Sequence, residues 1–175
     1  TVCKVVRDSL GDNLAYSISA TTRKPRTGEE HGREYFFFSK EEFEALRDQN
    51  GFLEWAQVYD NYYGTPRAFV EEVLASGRDC ILEIDPQGAL QVRKATSEAV
   101  LVFIAPPSLE ELRARLTGRG TEAPEEVEKR LSCAEAELAY SNQYDYLIVN
   151  DEVEKAAEKM KAILMAERCR TNRIN

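Results

Sequence analysis

Apolar positions recur at helical spacing across Thr1–Leu10 and switch at Leu14–Ser19 to the alternation of a strand. The first stretch predicts the body of a helix without a start signal, because no N-cap residue precedes it. Thr21–Gly32 is polar and predicts a loop, followed by a short strand at Tyr35–Phe38 and a helix at Lys40–Asp48. Phe52–Tyr59 and Asn61–Tyr63 predict a hairpin, and Pro66–Ala75 a helix with proline in its first turn, where no N–H is needed. Cys80–Ile84 is a compact apolar run ending in acids, Ala99–Ala105 is closed by Pro106 and Pro107, and Tyr146–Val149 is a third such run. Apolar runs of this kind, each followed by a helical pattern, suit strands buried on both faces of a parallel sheet. The helical patterns lie at Gln87–Lys94, Ser108–Leu116, Pro124–Tyr140 and Glu152–Arg170. Ser108 and Glu111 have the spacing of a capping box. The alternation predicts an α/β fold with right-handed crossovers.

A chain of 175 residues, 43 % apolar, suits one α/β domain with a sizeable core. It has no repeat, low-complexity tract or Pro/Gly-rich linker. The net charge of −8 disfavours nonspecific binding to nucleic acid or to an anionic membrane. No apolar run approaches the roughly 18 residues that a bilayer crossing needs, and no signal-peptide pattern is present, although the chain starts at Thr1 without Met. Cys3, Cys80, Cys133 and Cys169 form no CxxC pair, and His31 is the one histidine. Free thiols in a reducing cytoplasm are expected, rather than disulfides or a metal site.

Four groups of residues carry candidate chemistry. In Ser19-Ala20-Thr21-Thr22-Arg23-Lys24-Pro25-Arg26, followed by Gly28, Glu29 and Tyr35, two arginines stand three apart around a stiffening proline. Two planar guanidinium forks so held suit a phosphate dianion; a solvated basic loop is the plainer alternative. Glu54 lies in an aromatic-rich hairpin ahead of Asn61-Tyr62-Tyr63-Gly64-Thr65. A carboxylate there can accept hydrogens from N1 and the exocyclic amine of guanine, and a threonine hydroxyl can donate to O6. The polar face of an ordinary strand explains the same residues. Ile81-Leu82-Glu83-Ile84-Asp85 puts acids at the carboxyl end of a predicted strand, where open α/β sheets bind ligands and carboxylates position Mg²⁺ or its waters. A cap on the next helix is the alternative. Finally Arg113, Arg115, Arg119 and Arg130 flank Gly118 and Gly120, as arginines that swing onto a transferring phosphoryl group would, or as an ordinary charged helix surface would.

Taken together, the stretch from Ser19 to Asp151 resembles the guanylate kinases, most closely the bacterial type. The matching pieces are Ser19–Arg26, Tyr35, Phe52–Gln57, Asn61–Thr65, Ile81–Gly88, Ala105–Ser108, Arg115–Glu122 and Val149–Asp151, in order and at fitting spacing. The resemblance implies a P-loop nucleoside monophosphate kinase fold: a parallel-sheet core (1–24, 76–114 and 142–175), a GMP-binding region (25–75) and a helical lid (115–141). It implies transfer of the γ-phosphoryl group of ATP to GMP, and to dGMP, with Mg²⁺ accompanying ATP in the cytoplasm. Arg23, Arg26, Tyr35 and Tyr63 are then the clamp for the GMP phosphate, and Ser19, Glu54, Thr65 and Asp85 the readers of guanine. Arg119 and Arg130 are lid arginines with catalytic roles, and Arg115 and Asn150 lie on the ATP side. Glu83 stands where the family usually has Asp, so it keeps the charge on a longer arm. The family carries a strand and a GxxxxGK[ST] loop at its N-terminus; Thr1-Val2-Cys3-Lys4 matches the residues just after that lysine. Two expectations follow: an upstream loop left out of this sequence because it is unordered, or a shortened chain. A rival remains at this point, a guanylate-kinase-like module that has lost catalysis and binds phosphopeptides. A monophosphate kinase for another base is a further one, opposed by Glu54, Thr65 and Asp85.

Overall fold

The computed structural model describes residues 2–118 and 123–173. In chain order the elements are α1 (Val2–Leu10), β1 (Leu14–Tyr16), β2 (Ala20–Thr21), β3 (Phe36–Phe37), α2 (Lys40–Asp48), β4 (Phe52–Val58), β5 (Asn61–Pro66), α3 (Arg67–Ala75) and β6 (Asp79–Ile81). They continue with α4 (Pro86–Ala95), β7 (Val102–Ala105), α5 (Leu109–Gly118), α6 (Pro124–Leu138), β8 (Tyr146–Val149) and α7 (Val153–Arg168). The chain divides into two compact units, one of residues 10–99 and one of residues 1–9 with 100–175.

In the unit of residues 10–99, β1 pairs in parallel with β6, Leu14 opposite Asp79. The predicted strand Leu14–Ser19 therefore ends early, because after Tyr16 the chain leaves this ladder. It enters a four-stranded sheet of order β3-β2-β5-β4, in which β2 and β3 are parallel and the other pairs antiparallel. Thr21, expected in a loop, is a fully buried strand residue. Strand β5 runs on to Pro66, beyond the predicted Tyr63. Gly64 is no breaker here: a Cβ on it would lie 2.8 Å from the Glu54 carbonyl and 2.9 Å from Trp55 Cβ, so the hairpin closes only around a glycine.

The two faces of β4 carry two clusters. Phe52 packs with Ala20 and Phe43, and the Phe43 ring stacks on Phe52 and Tyr62 at centroid distances of 4.3 and 5.2 Å. Leu53 packs instead with Val70 of α3 and Val92 of α4; the β4–β5 register shifts between Phe52 and Glu54, so a bulge there breaks the two-residue period and puts Phe52 and Glu54 on opposite faces. Helix α2 starts on a full capping box: Ser39 Oγ accepts from Glu42 N at 3.1 Å, and the Glu42 carboxylate accepts from Ser39 N at 2.7 Å.

In the other unit, β7 and β8 pair in parallel with Val102 opposite Tyr146. Helices α5 and α6 meet through Leu112, Leu116, Val127 and Leu131. The expectation that Tyr146–Val149 is a buried strand is corrected for β8 on one face. Ile148 is buried, but its neighbours Leu147 and Val149 are 57 % and 38 % exposed. Among the described residues β8 has one strand neighbour, β7, and packs on α7, which is enough to bury one side of the pleat. The Ser108 cap is half a box: Ser108 Oγ accepts from Glu111 N at 3.0 Å, whereas the Glu111 carboxylate takes Arg115 Nε at 2.9 Å. No helix among the described residues is long and apolar enough to cross a membrane.

Candidate functional site

Strand register gathers the candidates of residues 10–99 onto one sheet face. Glu54 stands opposite Thr65, Ala56 opposite Tyr63, and Tyr63 opposite Thr21 on the next strand. Positions two apart on a strand share a face, so Glu54, Tyr63, Thr65 and Thr21 all present to the same side. Thr21 Oγ1 accepts from Arg23 N at 3.1 Å, which fixes where the arginine loop leaves the sheet. Ser19 is half-buried, and its carbonyl takes Phe36 N at 2.9 Å. That bond seats Tyr35 beside the same edge, with its ring edge-on to Tyr63 at 6.2 Å.

Glu54 is 9 % exposed, and Thr65 is fully buried. Thr65 Oγ1 donates to Glu54 Oε1 at 2.6 Å, so in this structure its proton serves the carboxylate rather than a base. Burial pushes the Glu54 carboxyl above its ordinary value; the Thr65 bond opposes the shift, and the charge of Asp85 adds to it. Asp85 caps α4, its Oδ1 accepting from Gly88 N at 2.7 Å, so the helix-cap alternative for this acid is realised. Gly88 leaves Glu54 Oε2 uncrowded: a Cβ there would sit 3.2 Å from Oε2 and 3.5 Å from Asp85 Oδ1. Two carboxylates and a hydroxyl therefore converge, with one Glu54 oxygen oriented by Thr65 and the other open beside a glycine. Glu83 is exposed and lies beyond the end of β6, which stops at Ile81.

The arginine loop is closed on itself. Arg23 Nη1 and Nη2 donate to the two carboxylate oxygens of Glu29 at 2.9 and 3.0 Å. The guanidinium also lies 5.4 Å from the Tyr35 ring centroid. Arg26 is exposed, and its backbone N–H donates to Glu29 at 2.7 Å.

In the second unit Arg115 is a brace. It donates to the carbonyls of Asn150 and Asp151 at 2.9 and 3.0 Å and to Glu111. This brings Arg115 and Asn150 together at the end of β8. Asn150 Oδ1 is buried and accepts no hydrogen bond among the described residues. Arg130 is exposed on α6, and Arg113 pairs with Glu128. Arg119 lies outside the described residues. Among those described, no group of three or more His, Cys, Asp or Glu side chains could hold a metal ion. Burial lifts the Cys80 thiol to about 11, which leaves it unreactive near neutrality.

Two contributors escaped the sequence reading. Gln91 of α4 donates to the Trp55 carbonyl and accepts from Trp55 N, both at 3.1 Å, and so fastens the strand next to Glu54. No local signal marks a glutamine 36 residues away as a strand partner. Glu29 did stand within the arginine motif, where its spacing to Arg26 was a usable signal.

The family model described as "Guanylate kinase" matches residues 1–167. A guanylate kinase of Caldanaerobacter subterraneus subsp. tengcongensis is 52 % identical over 173 residues, 99 % of this chain and 84 % of that protein. One of Halalkalibacterium halodurans is 50 % identical over 174 residues, 99 % of this chain and 85 % of the other. A crystal structure of guanylate kinase from Anaplasma phagocytophilum superposes with a TM-score of 0.74 at 37 % identity, covering 97 % of this chain and 84 % of that one.

Proposed function

The chain belongs to the guanylate kinase family, and from that premise we propose that it transfers the γ-phosphoryl group of ATP to GMP, giving ADP and GDP. The observation that carries the reading of the acceptor is the buried Glu54–Thr65 pair, on the same sheet face as Tyr63. A buried carboxylate is costly unless donors reach it. Guanine supplies two, N1–H and the exocyclic amine, whereas adenine supplies no such pair. Thr65 holds one Glu54 oxygen in place, Gly88 leaves the other accessible, and Asp85 and Ser19 flank the base. Arg23, Arg26, Tyr35 and Tyr63 bind its phosphate. GMP and dGMP share every group these residues touch.

On the donor side, Arg115 and Asn150 face ATP, and the unpartnered Asn150 Oδ1 is an acceptor suited to an exocyclic amine. Arg119 and Arg130 act as lid arginines that meet the charge spread over the transferring group. Positioning and electrostatics suffice, and no covalent intermediate is needed. Mg²⁺ is assigned to the ATP substrate. Such an ion keeps most of its waters and asks for one or two carboxylates, which fits the exposed, single Glu83 better than a resident metal cage. When bound it neutralises charge on the β- and γ-oxygens. The cytoplasm, where both nucleotides are found, is the proposed place of action. The complete set of acceptor residues and the activity named for the relatives both favour this reading over a binding-only module.

A coupled assay of nucleoside diphosphate formation tests it. GMP is expected to exceed AMP in kcat/KM by about 10⁴-fold, the discrimination available to a site built around a substrate's hydrogen-bond donors. Comparable turnover of AMP contradicts it.

A further inference from the structure

Glu29 lies in the arginine loop, yet none of the roles above uses it. Its ion pair with Arg23 is unlike the loop's other pairs. The two side chains are only 17 % and 18 % exposed, against 54 % and 69 % for Arg33 and Glu30 nearby. The contact is a fork on a fork, both terminal guanidinium nitrogens meeting both carboxylate oxygens. A third bond comes from Arg26 N. Local geometry delivers the carboxylate to this place. Gly28 adopts φ +87°, a left-handed turn position, and Glu29 N donates back to the Arg26 carbonyl at 3.0 Å. The guanidinium is confined on its remaining sides by the Lys24 carbonyl at 2.9 Å and by the Tyr35 and Phe37 rings.

We propose that Glu29 is the positioning residue of the acceptor-phosphate clamp, its one carboxylate fixing the Arg23 guanidinium and pinning the Arg26 backbone. This rests on the assignment of Arg23 and Arg26 to the GMP phosphate. A guanidinium has five N–H donors. The fork takes two, the Lys24 carbonyl one, and Tyr63, a member of the clamp, also reaches it, which leaves a donor for an anion. An unheld arginine must be ordered when phosphate binds, and that ordering weakens binding; Glu29 orders it beforehand. It also relieves the repulsion between two guanidinium groups three residues apart. The Arg23 bond, then the Arg26 N–H, hold the Glu29 carboxyl below the usual carboxylate range, so the brace stays charged at neutral pH.

GMP binding to the full chain, by calorimetry, tests the proposal together with steady-state kinetics. Glu29→Gln, of the same size, is expected to weaken GMP binding and raise KM for GMP by about tenfold, with kcat and KM for ATP within about twofold. Glu29→Asp, which keeps the charge but draws the fork back, gives an intermediate loss. Because Glu29 acts through Arg23 and otherwise only through the Arg26 backbone, the double variant Arg23→Ala/Glu29→Gln loses less GMP affinity than the sum of the two single losses. Unchanged GMP affinity in Glu29→Gln, tighter affinity (as for a carboxylate that competes with phosphate), or additive losses in the double variant overturn the proposal. Those results leave GMP phosphorylation by the wild type intact. Failure of the wild type to phosphorylate GMP, or an Arg23→Ala variant with unaltered GMP affinity, instead overturns the clamp assignment and the proposal with it.

Discussion

A carboxyl group set into a sheet face, with one hydroxyl as its fixed donor, is a poor place for a charge until a ligand arrives. Glu54 is such a group, and burial raises its pKa above the ordinary value. The folded chain therefore keeps this proton to a higher pH than the unfolded chain does. Between the usual carboxylate range and the raised value, the folded state binds more protons, so unfolding free energy falls as pH rises through that window. Glu54→Gln has no proton to lose. In the absence of nucleotide its thermal midpoint is expected to exceed that of the wild type at about pH 8, with the difference closing below the usual carboxylate range. Melting curves of both proteins across pH check this. Glu29, whose pKa is lowered, acts in the opposite sense on the acid side, but it is common to both proteins and cancels from the difference. A midpoint difference that is flat with pH would mean that Glu54 ionises as if exposed.

The elements hold that residue by few but definite bonds. Strand β4 has β5 on one edge, and along Trp55 the Gln91 side chain supplies both a donor and an acceptor. Gln91→Ala removes both bonds. Trp55 is exposed, so water can replace them, and the expected loss of stability is about 1 kcal/mol in urea denaturation. Faster amide exchange at Trp55 should accompany it. This contact was not legible in the sequence, because a helix residue 36 positions away pairs with a strand only through tertiary folding. The start of α2 was legible in principle, since Ser39 and Glu42 have the capping-box spacing, and Ser108–Glu111 matched the same pattern with only half its bonds. The predicted strand stops at Tyr63, one residue short of Gly64, where a glycine is required because two strands approach closely.

Across the whole molecule, the residues proposed for the acceptor fall in the unit of residues 10–99, and Arg115, Arg130 and Asn150, proposed for the donor side, in the other. The α/β class and most elements were legible from apolar periodicity, because runs bounded by Pro, Gly and acids survive any tertiary detail. Glu54 and Thr65 were legible as guanine contacts from their chemistry, Asp85 beside them only through the family resemblance, and Gly88 not at all; strand register, which puts Glu54 against Thr65, is a property of the fold. The division of labour predicts distinct kinetics. If its partner is the acceptor phosphate in every state, as proposed, Arg26→Ala should raise KM for GMP about tenfold with a smaller effect on kcat. If its contact forms in the transition state, as proposed, Arg130→Ala should lower kcat about 100-fold. Steady-state kinetics on both variants decide the matter, and an Arg130→Ala variant altered only in KM for GMP would remove the lid assignment. The central claim, that Glu54 recognises the guanine base, is tested most directly by kinetics of Glu54→Gln with each substrate varied in turn. The account predicts that kcat/KM for GMP falls by about 100-fold or more while KM for ATP stays near its original value; equal losses for both substrates would contradict it.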